Sequence, residues 1–138
     1  MNTVNFLRVA FVVVLIQYTA HAILFLSAKP LHGQDEAALI EAMKLHRWNF
    51  SGFKRSYWNF YFGYGLVAIL LGLVEAAILW QISKYAKMSS LEVKPMIAIL
   101  FFANILHAIL TLRYFFLLPA LFDFIVAIFL ALAFMFAM

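Results

Sequence analysis

GFKRSYWNFYFGYG, residues 52–65, decides how this chain is read. Two cations, Lys54 and Arg55, precede an octet from Tyr57 to Tyr64 in which Tyr57, Trp58, Phe60, Tyr61, Phe62 and Tyr64 are aromatic. Behind the octet the sequence stays almost wholly apolar to Ile82. A cationic step, an aromatic belt and then about 20 apolar residues is the order in which a helix passes from lipid headgroups into hydrocarbon. One turn of aromatics satisfies that reading. Tyr61 and Tyr64 further in, and Asn59 beside them, ask for another explanation.

The rest of the chain agrees with a membrane solvent. Of 138 residues, 67% are apolar and 12% charged, and mean hydropathy is +1.00. A soluble domain is nearer half apolar and a quarter charged. The net charge of +4 forms no stripe, because the cations sit at the ends of apolar runs. That pattern suits snorkelling to headgroups and argues against a nucleic-acid partner. There are no cysteines, which excludes disulfides, thiolate catalysis and Cys-ligated metal.

Three further stretches are long and apolar enough to span. With the first they lie at about residues 4–27, 57–82, 95–112 and 117–136. Backbone groups in lipid must be satisfied within the segment, so each is a helix. Pro95 and Pro119 stand near helix starts, where a missing N–H costs little. Short connections make neighbours antiparallel. The expectation is an all-α, integral membrane, up-down-up-down four-helix bundle forming one transmembrane domain over residues 1–138. Ala20-His21-Ala22 imitates a signal-peptidase site, but ILFL follows at once, so the first span is read as uncleaved. The connection at 29–56 contains DEAALIEAMKLHR, with acids at its start and cations at its end, as a short amphipathic surface helix prefers. Arg8, Lys84, Lys87 and Lys94 on one face oppose Lys29, Lys44, Arg47, Lys54, Arg55 and Arg113 on the other. Four against six is too even to orient the chain.

Depths counted at 1.5 Å per residue from the face bearing the long connection bring polar residues to one level. His21, His107 and Asp123 each come out about 9 Å down, with Tyr64 at about 10 Å and Tyr61 at about 6 Å. Gln17 and Asn104 lie one turn deeper on the faces of His21 and His107, and Thr111 continues the second face outward. Ionisable groups inside a membrane mark function by default. His21, His107 and Asp123 are therefore the expected proton-handling, catalytic residues. Gln17, Asn59, Tyr61, Tyr64, Asn104, Thr111 and Arg113 are the expected ligand-binding residues. Arg8 and Glu75 both come out about 27 Å down and are expected to form a structural ion pair. Gly65, Ala68, Gly72 and Ala76 make a small-residue stripe for close helix approach, with Gly63 as a gap among the aromatics.

Gly52, Phe53, Arg55, Ser56, Tyr57, Trp58, Phe60, Tyr61, Gly63 and Gly65, preceded by His32-Gly33, form the pattern G-F-x-R-S-Y-W-x-F-Y-x-G-[FY]-G. This resembles the signature of a family of small bacterial four-span membrane proteins, and the four-span layout is similar to that of DoxX-like proteins. The family pattern often carries Asp at the position of Asn59. The resemblance covers about a quarter of the chain and implies a bacterial inner-membrane location but no reaction.

Three functions fit these residues. One is a pocket in one leaflet that binds a lipophilic small molecule, either as a binding site alone or as an isomerase, cyclase or oxygenase that transforms it by proton transfer. A second is a haem b or non-haem iron site built on two His and one carboxylate. The third is an accessory subunit, or a transporter assembled as a homo-oligomer. The expected partners are membrane lipid and the lipophilic molecule itself.

Overall fold

The computed structural model describes residues 2–27, 29–30 and 32–137. Its elements are α1 (Thr3–Ser27), α2 (Gln34–Leu45), β1 (Arg47–Phe50), β2 (Phe53–Ser56), α3 (Tyr57–Tyr85), α4 (Lys94–Tyr114) and α5 (Leu117–Met135). The chain is all-α apart from one short hairpin. Helices α1, α3, α4 and α5 are long and apolar enough to cross a membrane, as a multi-pass membrane protein requires. Their side chains are apolar on the outside as well, with Ile16, Leu70, Ile99, Phe102 and Ile128 all exposed. Such a surface has hydrocarbon as its natural solvent.

Two compact units divide the chain. The first holds α1 as far as Thr19, α3 from Gly72 onward, α4 and α5. Its core is Leu7, Ala10 and Val14 of α1, Ala76, Leu79 and Ile82 of α3, Ile97 of α4, and Val126, Leu130 and Ala133 of α5. Each consecutive pair of these helices runs antiparallel. Phe11 and Tyr18 of α1 meet Trp80 and Gly72 of α3. His107 of α4 meets Asp123 of α5, while Lys94 at the opposite end of α4 reaches Ala137. Thr3 Oγ1 donates to the Ala133 carbonyl and Gln17 reaches Asp123, so α1 and α5 are antiparallel too. The up-down-up-down order expected from the short connections is the order found.

The second unit, Ala20–Leu71, holds the end of α1, α2, the hairpin and the first half of α3. Here the structure departs from the expected connection. Helix α2 stops at His46, whose backbone N–H and ring Nδ1 both engage the Ala42 carbonyl, and a hairpin follows. Ser51 and Gly52 between its strands both have positive φ, at 51° and 89°. That is the two-residue turn whose twist matches paired strands. Asn49 Oδ1 closes it by accepting from Gly52 N–H at 2.8 Å. Trp48 and Phe50 then pack edge-on against Tyr57 and Phe60, tying the hairpin to the first turns of α3.

The glycine stripe does what its spacing suggested, through aromatic rings. A Cβ on Gly65 would overlap the ring of Phe25, and one on Gly72 would overlap the ring of Tyr18. Gly63 faces open space instead. Gly72→Ala and Gly65→Ala should each lose about 1–3 kcal/mol, the cost of overpacking a close contact. Gly63→Ala should be neutral or gain up to about 1 kcal/mol from helix propensity. Denaturant titrations of the three variants in micelles check the contrast, and equal effects at all three positions would contradict it.

Candidate functional site

Asp123 lies on α5 among apolar residues and is 2% exposed. A carboxylate so placed must be hydrogen-bonded, because leaving it unpaired in an apolar interior costs several kcal/mol. Both of its oxygens are engaged. Gln17 Nε2 of α1 donates to Oδ1 at 2.9 Å, and His107 Nδ1 of α4 lies 3.0 Å from Oδ2. Gln17 Nε2 also donates to the Pro119 carbonyl at 3.3 Å, so one amide group ties α1 to α5 at two points. These contacts settle the orientation of the Gln17 amide, since its own oxygen facing a carboxylate would be repelled. That oxygen, Oε1, is buried without a hydrogen-bond partner among the described residues.

His107 differs from its partner in exposure. Its side chain is 51% exposed while that of Asp123 is 2% exposed. With the Asp123 carboxylate accepting, Nδ1 carries a proton and the neutral ring turns the lone pair of Nε2 outward. Nε2 has no hydrogen-bond partner among the described residues. The arrangement is a buried acid that orients an accessible imidazole.

A second polar contact lies one turn deeper on α4. Asn104, 4% exposed, donates through Nδ2 to Glu75 Oε1 of α3 at 2.5 Å and to the Leu100 carbonyl at 3.0 Å. Thr111 is buried on the same stripe of α4 as Asn104. Tyr18 completes the set. It packs over Gly72 and lies within electrostatic range of both Asp123 and Glu75. Neither Tyr18 nor Glu75 was expected here. Tyr18 directly follows Gln17 and faces the glycine stripe, and that was its only sequence signal.

Several expectations need correction. Arg8 and Glu75 form no ion pair. Residues 11 and 18 of α1 stand opposite 80 and 72 of α3, which places Glu75 level with residue 15 or 16 and Arg8 nearer the far end. The counted depths failed because α3 begins at Tyr57 yet α1 does not end level with it. Arg8 instead lies over the Trp80 ring at 5.6 Å. Asn59 is engaged at the start of its own helix. Its Oδ1 accepts from Ser56 N–H at 2.9 Å and Ser56 Oγ at 3.2 Å, and its own N–H donates back to Ser56 Oγ at 3.3 Å. That reciprocal pattern is a capping box at the start of α3. It explains the lone asparagine in the octet.

Tyr61 and Tyr64 are 53% and 73% exposed, and Tyr61 packs on Phe25 and Trp58. Tyr61 and Phe62 of the octet thus hold Phe25 over Gly65. His21 belongs to the second unit, is exposed, and stacks on Phe25 with ring centroids 5.8 Å apart. Both oxygens of Asp123 are taken by other residues. Arg113 is exposed at the end of α4 without an ion-pair partner among the described residues. No group of three His, Cys, Asp or Glu side chains is placed to hold a metal among the described residues. The two-histidine, one-carboxylate set of a non-haem iron centre is therefore not assembled there.

The chain matches no protein-family model, no curated protein and no solved structure.

Substitutions at Gln17, Ser56 and Asn59 test this description. Gln17→Leu removes the donor to Asp123 Oδ1 and should destabilise the protein by about 1–3 kcal/mol. Asn59→Ala and Ser56→Ala should each cost about 1 kcal/mol, whereas Asn59→Asp, which still accepts from Ser56, should cost much less. Unfolding titrations in micelles give both answers. An Asn59→Ala protein as stable as the parent would remove the capping assignment.

Proposed function

We propose that His107, oriented by Asp123, is a hydrogen-bonding and proton-transfer group for a lipophilic small molecule reaching it from an apolar surrounding. The observation that carries this reading is the asymmetry of the pair, a buried carboxylate holding a half-exposed ring by Nδ1. A packing histidine would bury both nitrogens against the protein. This one commits one nitrogen to Asp123 and leaves the other for something outside.

The chemistry follows from the tautomer. A molecule with an acidic O–H, or a C–H beside a carbonyl, gives its proton to Nε2, and the ring becomes an imidazolium. Asp123 stabilises that charge through the existing Nδ1–H contact, and Gln17 keeps the carboxylate in place. The ring then returns the proton to the same molecule, at the same atom for reversible binding or at another for isomerisation. No redox partner is required. Selection for a lipophilic molecule is argued from the neighbours of His107, since Leu106, Ile109 and Leu110 on the same helix are exposed.

Purified protein extracted with organic solvent and analysed by mass spectrometry tests the proposal. The parent should carry a discrete lipophilic compound in near-stoichiometric amount. His107→Gln and Asp123→Asn should retain about tenfold less or lower still, the worth of one charge-assisted hydrogen bond. Gln at position 107 keeps an amide N–H that can donate to Asp123, so folding of His107→Gln should be preserved and is checked by circular dichroism. Equal retention in the parent and both variants would contradict the proposal.

A further inference from the structure

The end of the first unit formed by the start of α1 and the end of α3 carries an arrangement that the His107 site does not use. Trp80 of α3 has two cations over its ring, the Arg8 guanidinium at 5.6 Å and the Lys84 ammonium at 5.5 Å from the centroid. Neither cation has a carboxylate within ion-pair distance among the described residues. Arg8 Nε is buried without a hydrogen-bond partner among the described residues. The same end holds Lys87 and Lys94, against Glu92 as the one acidic side chain of the α3–α4 connection. Lys94 is already spent on the Ala137 carbonyl and the Phe134 ring.

We infer that Arg8, Trp80 and Lys84 bind the phosphodiester of an anionic phospholipid. A guanidinium and an ammonium beside one ring offer the donors that a phosphate oxygen accepts, and charge assistance makes those bonds strong. The indole serves as the apolar shoulder of an interfacial site, with each cation in cation–π range of its ring. A lipid fits better than free phosphate because both helices carry exposed apolar side chains inward from the cations. On α1, Val12 and Ile16 follow Arg8 one and two turns on, and on α3, Leu73 follows Trp80 two turns on. Those side chains give an acyl chain a surface continuous with the headgroup contacts. The inference is independent of the His107 site, which uses other residues.

Titration of the detergent-solubilised protein with phosphatidylglycerol or phosphatidylcholine, read by native mass spectrometry, tests it. The parent should hold at least one phosphatidylglycerol about tenfold more tightly than phosphatidylcholine. Arg8→Gln and Lys84→Gln should each remove most of that preference, and His107→Gln should leave it unchanged. Lys84 is exposed at a helix end, so its variant keeps the test valid should Arg8→Gln fold poorly. Equal affinity for the two lipids in the parent, or an unchanged preference in Lys84→Gln, would overturn the inference. Displacement of the lipid by millimolar inorganic phosphate would overturn it as well, in favour of a free-anion site.

Discussion

A carboxylate that is 2% exposed, in a protein whose buried side chains are mostly apolar, sets the terms for everything around it. Asp123 is tolerable only with a donor on each oxygen, and those donors come from two other helices, Gln17 on α1 and His107 on α4. Three helices are thereby fixed in register and rotation by one side chain. Slipping α5 by a single residue would swing Asp123 by about 100° and break both contacts. Apolar packing alone gives no comparable penalty, because Leu, Val and Ala can slide past one another in hydrocarbon at little cost. Polar contacts supply the uniqueness and the aliphatic core fills the space between them.

Close approach between α1 and α3 is the second constraint, and it is steric. Tyr18 and Phe25 lie where side chains at positions 72 and 65 would otherwise be, so glycine is required at both. The Tyr18 contact falls one residue from Gln17 and one turn from Glu75. Packing and polar placement are thus coupled along α1. A ring held over Gly72 positions the neighbouring amide that holds Asp123.

How much of this was legible beforehand depended on distance along the chain. Helix ends predicted from hydropathy lie within three residues of those found, since length and apolarity are strong local signals. His107 and Asp123 were placed level because both were counted from the same tight turn between α4 and α5. Arg8 and Glu75 were misplaced because they were counted from opposite ends of the long 29–56 connection, whose hairpin let the two helix ends differ in height. The hairpin itself was readable from Ser51-Gly52 between two apolar-polar runs, and was masked by the stronger helical signal of DEAALIEAMKLHR. Asn59 was misread for a related reason. Ser56 three residues earlier spells a capping box, a local signal that the surrounding aromatic octet outweighs. Rotation about a helix axis was the hardest quantity. His21 shares a face with Gln17 at helical spacing, yet the four-helix packing of the first unit ends near Pro119, and His21 belongs to the second unit.

The pair at the centre of this account can be observed directly. Nitrogen-15 spectra of histidine-labelled protein in lipid bilayers, recorded where the imidazole is neutral, report which ring nitrogen of His107 holds the proton. The account predicts protonated Nδ1 and bare Nε2 in the parent, with that preference lost in Asp123→Asn. A His107 with Nε2 protonated and Nδ1 bare, or a tautomer indifferent to the substitution, would contradict it.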